Sequence, residues 1–211
     1  MKHKTSQILY AYWNAVRGQR LAPRRFEIEP ARIASILAET FILERFDVRT
    51  YQFRLAGTRL CDQFGHEFRG TNFLDGWGAD DCLMLERKFA DACERGGALV
   101  LTFEATSDDA HCVTYEALLL PLVHNGEMAS RVLGAMSACD PPAWVGTERL
   151  TTKNLVRHET IWPGAKTSSQ LHQQSLFAPS SQSACAIRID RNRRRFLVLD
   201  GGRLKTDSDP N

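Results

Sequence analysis

The chain has 211 residues, of which 43% are apolar and 25% charged, and a formal net charge of +2. That length accommodates one globular domain with extensions, or two small ones, and the apolar fraction is enough for a sizeable core. Met1 is followed by basic and polar residues, and no segment approaches the roughly 18 consecutive apolar residues of a spanning helix, so the expectation is a cytoplasmic protein without membrane insertion.

Ile8, Leu9, Tyr12, Trp13 and Val16 recur at helical spacing and Gly18 follows them, which predicts an amphipathic helix over 5–17 with a glycine C-cap. After Pro23, Glu29-Pro30 opens a short helix with Ile33, Ile36 and Leu37 on one face. Residues 40–46 and 50–56 read as two strands around a turn at Asp47-Val48-Arg49, the second alternating Tyr51, Phe53 and Leu55 with polar residues. Glycines at 57, 65, 70, 76 and 78 keep the next stretch in turns and short helical pieces. A helix capped by Asp80 or Asp81 runs to about Arg95, with Cys82, Leu85, Phe89, Ala92 and Cys93 on one face, and Gly96-Gly97 ends it. Three strands are expected next, over 98–105, 111–120 and 128–138, the last after a turn at Asn125-Gly126. Beyond Pro141-Pro142 the pattern weakens. Residues 164–183, rich in Ser and Gln, read as a linker, and 186–199 read as a final strand-like segment broken by the basic run Arg191 to Arg195.

Two strands, short helices, a longer helix and three strands follow the order of a PAS domain. Several local phrases resemble one bacterial branch of that superfamily, in which a single PAS core fills most of a short cytoplasmic protein. They are Tyr12-Trp13, Ile28-Glu29-Pro30, Phe53-Arg54-Leu55-Ala56-Gly57-Thr58, Phe64-Gly65, Arg69-Gly70-Thr71-Asn72 and Asp200-Gly201-Gly202-Arg203. The resemblance covers roughly 5–140. It implies an α+β fold in which a five-stranded antiparallel sheet, flanked by short helices, curves around a pocket. The organisation expected is an N-terminal helical extension at 1–38, a PAS-like core at 39–140 and a partly irregular C-terminal extension at 141–211.

PAS pockets hold flavin, haem or small organic molecules, and each would leave marks. The flavin-binding photoreceptor branch carries its cysteine in an Asn-Cys-Arg-Phe-Leu phrase, which Arg59-Leu60-Cys61-Asp62-Gln63 does not match. The longest helix has no histidine for haem, and His66 lies in a glycine-flanked turn. No cofactor is therefore expected, while Phe53, Leu55, Phe64, Phe73, Leu85, Phe89 and Leu101 would line a pocket for an unidentified small organic ligand. The same residues at the same spacings are what a solid core of this size requires. The six cysteines are widely spaced without a C-x-x-C pair, so they read as reduced thiols and no metal site is expected.

His158-Glu159 with Pro163 is similar to the phosphoacceptor box of sensor histidine kinases, but the intervening residues differ and 48 residues cannot supply an ATP-binding domain. Arg191 and Arg195 have the spacing of cyclic-di-GMP-binding PilZ domains without the second motif. G-x-S-x-G, P-loop and H-E-x-x-H signatures are missing, so the reading is non-enzymatic. Residues 1–25 carry charge +6, 26–145 carry −9 and 146–211 carry +5, and so acidic a middle makes a nucleic-acid partner improbable. The expected function is a PAS-type regulatory module that senses a ligand or an unidentified signalling protein, the alternative being a structural adaptor with a solid core. The expected assembly is a homodimer through Leu9, Tyr12, Trp13 and Val16, since PAS domains commonly dimerise through such N-terminal helices.

Overall fold

The computed structural model describes residues 1–124 and 129–162. The first helix, α1 (Lys4–Arg17), is followed by two 3₁₀ segments, Arg25–Glu27 and Pro30–Glu39, and by strands β1 (Thr40–Arg45) and β2 (Tyr51–Ala56). Helices α2 (Thr58–Phe64) and α3 (Ala79–Arg95) come next, then β3 (Ala98–Ser107), β4 (Cys112–Val123), β5 (Ala129–Ala138) and β6 (Leu150–Ile161). One antiparallel sheet holds all six strands in the order β2-β1-β5-β4-β3-β6. The fold is α+β, as expected, with one strand more than the five anticipated.

The added strand is β6, which lies where the sequence pattern fades. It pairs with β3 from Ala98↔Ile161 to Ser107↔Leu150 through two register shifts. Most of its side chains face solvent, so the apolar alternation that marks a half-buried strand is absent from its sequence. The segment expected to supply an extra strand, 186–199, and the turn at Asn125-Gly126 lie outside the described residues.

Period-two alternation sorts the strand residues between two cores. One face carries Phe41, Leu43, Tyr51, Phe53, Leu99, Leu101, Phe103, Tyr115 and Met136 toward α2 and α3. The other carries Ile42, Val100, Leu118, Leu120, Leu122, Leu133 and Ala135 toward α1 and the 3₁₀ segments. Pro121 sits in a central strand without cost because β3 ends alongside Leu119, so no acceptor waits for the N–H that proline lacks. Helix α3 begins after Gly78, not at an aspartate. Asp80 and Asp81 occupy its first turn instead, where their charge suits the helix N-terminus.

The phrases that carry the family resemblance have structural duties. Tyr12 Oη accepts from Glu29 N at 2.7 Å, and Trp13 Nε1 donates to Pro121 O at 2.9 Å, fastening α1 to the Ile28-Glu29-Pro30 turn and to the sheet. At Gly57 a Cβ would collide with the backbone oxygen of Ala38, so only glycine allows β2 to leave the sheet there. Residues 70–73 bond along β2 through Phe53 N to Thr71 O, Gly70 N to Phe53 O and Phe73 N to Tyr51 O, each at 2.9 Å. Asn72 Oδ1 accepts from Tyr51 N in the same seam. That loop covers an edge otherwise open to strand addition.

Candidate functional site

Of the seven side chains expected to line a pocket, six are in the aromatic core. Phe53, Phe64, Phe73, Leu85, Phe89 and Leu101 are all buried, and their neighbours are one another. Ring centroids lie 4.3 Å apart for Tyr51–Phe89, 5.4 Å for Phe73–Phe89, 4.7 Å for Phe53–Phe68, 5.0 Å for Trp77–Phe103 and 5.5 Å for Phe103–Tyr115. Contacts at these separations fill the space between sheet and helices with tilted, edge-on and stacked rings. Burial pushes both phenol groups, Tyr51 and Tyr115, above their ordinary range. Tyr115 O–H donates to Gln63 Oε1.

Leu55 is the seventh, and the structure corrects its placement. A register shift between Ile42 and Leu43 pairs Leu43 with Phe53 but Ile42 with Leu55. Arg54 is the extra residue of a bulge, and beyond it the alternation inverts, so Leu55 lies on the side of Ile42, 47% exposed.

The stripe on α1 expected to meet a second chain is covered by its own. Leu9 and Trp13 are fully buried and Tyr12 nearly so, against Ile33, Ile36, Leu118 and Leu133, while Val16 packs partly buried beside them. The stripe was read from periodicity, which identifies a buried face but not what buries it. Polar bonds reinforce the docking. Glu116 accepts from Lys2 N and His3 N at 2.6 and 3.0 Å. Glu39 accepts from Thr5 Oγ1 at 2.5 Å, Ser137 Oγ at 2.7 Å and Arg59 at 2.5 Å. Burial alone would raise the Glu39 carboxyl, but these three donors more than offset it and hold it below the ordinary carboxylate value.

Ser107, His111 and Glu148 meet near the start of β6 in a group with the composition of a nucleophile relay. Its bonding differs: Ser107 Oγ donates to Glu148 Oε2 at 2.6 Å, and His111 Nδ1 lies 2.9 Å from the same carboxylate. A relay needs the imidazole between hydroxyl and carboxylate. Here the serine bonds the carboxylate directly and receives the His111 backbone N–H. Burial also raises the thiols of Cys61, Cys82, Cys93 (to about 11) and Cys139, which disfavours the nucleophilic thiolate. His158 and Glu159 lie exposed on β6.

A cleft of about 290 Å³ opens where β6 crosses the loop between α2 and α3, lined by residues from Phe64 to Gly76 and from Arg149 to Lys153. Gly65 caps α2 in the left-handed region, and Gly76, also at positive φ, leaves no room for a Cβ beside Thr151 O, so the two glycines let the strand and the loop approach closely. Lys153 N donates to Gly76 O at 2.7 Å and Leu155 N to the Asp81 carboxylate at 2.9 Å, joining the strand to the loop and to the first turn of α3. Lys153 Nζ lies over the rings of Phe73 and Trp77 at 5.7 and 5.5 Å and donates to Phe73 O at 3.3 Å. Burial lowers its pKa to about 8 against the pull of Asp75. No lysine–carboxylate pair forms at this residue among the described residues. His66 meets Phe68 at a tilt of 52°, with centroids 4.3 Å apart. Of the side chains expected to line a pocket only Phe64 borders this cleft, because its two walls are some eighty positions apart.

The model of the PAS_5 family, described as a PAS domain, matches residues 1–137, and the chain belongs to that family. The matched span includes α1 and the strands up to the last residue but one of β5, and it stops short of β6. Among solved structures the chain is similar to one titled as the LOV protein of Rhodobacter sphaeroides, with 13% identity and a TM-score of 0.40 over 55% of this chain and 71% of that one. It is also similar to a point variant titled RsLOV, with 14% identity and a TM-score of 0.41 over 54% and 68%. No curated protein matches. Among the described residues no helix is long and apolar enough to cross a membrane, and no group of three or more His, Cys, Asp or Glu side chains converges as a metal site.

Proposed function

We propose that this chain is a non-enzymatic PAS-type regulatory module that signals through protein contacts, with a core that transmits packing changes instead of holding a ligand. The observation that carries this reading is the aromatic core. Phe53, Phe73, Phe89 and Phe103 occupy the volume between sheet and helices with rings at contact distance. A close-packed interior is felt throughout when one side chain moves, which suits a module that couples one surface to another. The raised thiols and the bonding at Ser107, His111 and Glu148 support the absence of catalysis.

The partner is a second copy or a different signalling protein. Leu83 on α3 and Val156 on β6 stand exposed and are available to either, whereas Leu9 and Trp13 are not. Sedimentation over a concentration series, with hydrogen exchange on the self-associated sample, is expected to give protection on outer surfaces. Native mass spectra are expected to show the bare polypeptide. An organic mass that persists in Lys153→Met protein and leaves only on denaturation would overturn the filled-core reading.

A further inference from the structure

We propose that the cleft between β6 and the loop joining α2 to α3 binds a small aromatic carboxylate, its ring against His66 and its charge between Arg149 and Lys153. The inference stands apart from the reading above, because the cleft opens beside the packed aromatic core and shares with it only the rings of Phe64 and Phe68 and the Leu150 side chain.

The argument rests on which groups of the cleft still have bonding capacity. Its neutral polar side chains are engaged: Thr71 Oγ1 donates to Phe68 O at 2.7 Å, and Thr151 Oγ1 to Asp108 Oδ1 at 3.1 Å. Asn72 uses its oxygen on Tyr51 N and its nitrogen on Arg49 O. The cations are not engaged in the same way. The Arg149 guanidinium makes no hydrogen bond or ion pair among the described residues, and Lys153 Nζ makes one long bond to a backbone oxygen. A buried ammonium without a carboxylate is held at a cost, and a ligand that brings an anion to it relieves that cost. The spare donors therefore select an anionic acceptor. Asp75 is the one acid in the lining, and its Oδ2 already accepts from Asn72 N at 3.1 Å.

Shape and size narrow the class further. The apolar part of the lining, Phe64, Phe68 and Leu150, is buried, and His66, partly exposed and backed by Phe68, presents the ring surface. Flat aromatic bodies stack on such surfaces, and a planar carboxylate matches the fork of an arginine. At about 290 Å³ the cleft lies at the small end of the range of ligand sites, which suits an acid with a single ring such as benzoate. One wall belongs to the residues matched by the PAS family and the other to β6 beyond them, so an occupant ties the added strand to the domain.

The test titrates benzoate into the full-length protein and follows backbone amides and the Lys153 ε-ammonium by NMR. Saturable shifts are expected at His66, Arg149 and Lys153, with a Kd on the order of 1 mM. The Lys153 titration should move upward from about 8, with Asp75 and Cys82 the other ionisable groups that act on it. The Lys153 amide bonded to Gly76 should exchange more slowly. Benzamide, acetate and inorganic phosphate should each bind roughly tenfold more weakly, and Arg149→Gln and Lys153→Met should each weaken benzoate by about the same factor. Arg149 is exposed, so its variant keeps the fold and remains informative if Lys153→Met does not. Benzoate shifts that do not saturate, that map elsewhere, or that survive both substitutions would overturn the proposal, as would equal binding of phosphate.

Discussion

The sheet face under α2 and α3 is filled with rings, whereas the face under α1 is filled with Leu, Ile, Val and Ala and fastened at its rim by Glu39 and Glu116. The first is made of side chains from many separate segments, each ring touching several others. The second is a helix laid on a surface, fixed by a few large side chains and two carboxylates. Such a difference in construction implies different modes of failure: the ring core should come apart as a unit, while α1 can leave as a cooperative piece of its own.

The largest effect is expected in the ring core. Phe89→Ala removes a fully buried ring that meets both Tyr51 and Phe73, and should cost about 3–5 kcal/mol with loss of all structure in one transition. Chemical denaturation followed by circular dichroism checks it. Two separated transitions would show that the face does not behave as a unit. Trp13→Ala sharpens the comparison from the other side. It removes comparable area and the bond to Pro121 O, so the intrinsic cost is similar, but loss is capped at the free energy that docks α1. About 3 kcal/mol is expected, with amide exchange accelerated along α1 and unchanged in β3 and β4. Uniform acceleration across the sheet would abolish the distinction.

Glu39→Gln is smaller and tests the rim alone. The amide oxygen can keep Arg59 while the NH₂ donates to the Thr5 and Ser137 hydroxyl oxygens, which then accept instead of donating, so the bonds persist without their charge at a cost of about 1 kcal/mol. The wild-type carboxyl is held below its ordinary value of 4.5, so its stabilisation is complete above that pH and disappears as pH falls through the lower folded value. The difference between wild type and variant, read from thermal unfolding at neutral pH and at successively more acid pH, should therefore shrink on acidification. A constant difference would mean that the charge of Glu39 contributes nothing to the seam.

Much of this architecture was readable in advance where one physical signal dominated. Glycines 18 and 96, both at positive φ, ended α1 and α3 at the expected places, and Asp47 built the β1–β2 turn by accepting from Arg49 N and Thr50 Oγ1. Tyr12-Trp13 and Arg69-Gly70-Thr71-Asn72 hold α1 and the β2 edge in this chain, duties of the fold that say little about activity. β6 was not legible, since a strand that pairs on one side and faces water elsewhere needs no apolar alternation. The cleft, apart from Phe64, was invisible for a different reason: Arg149 and Lys153 are ordinary basic residues until the fold sets them in one lining with His66.

Leu55 supplies the smallest effect and the sharpest decision between pattern and register. Strict alternation from Phe53 would put its side chain among the rings, where Leu55→Ser would cost several kcal/mol, as deletion of a buried leucine does. The bulge at Arg54 instead leaves it beside Ile42 and 47% exposed, and Arg54 itself pairs with Glu44 across the strand and lies over the Phe46 ring. On that placement Leu55→Ser should change stability by no more than about 0.5 kcal/mol, the range of surface substitutions. A paired measurement with Phe53→Leu, which trims a buried ring two residues away, keeps the comparison within one strand. If both variants lose stability alike, the register shift between Ile42 and Leu43 is wrong and the ring core extends one residue pair further along β2.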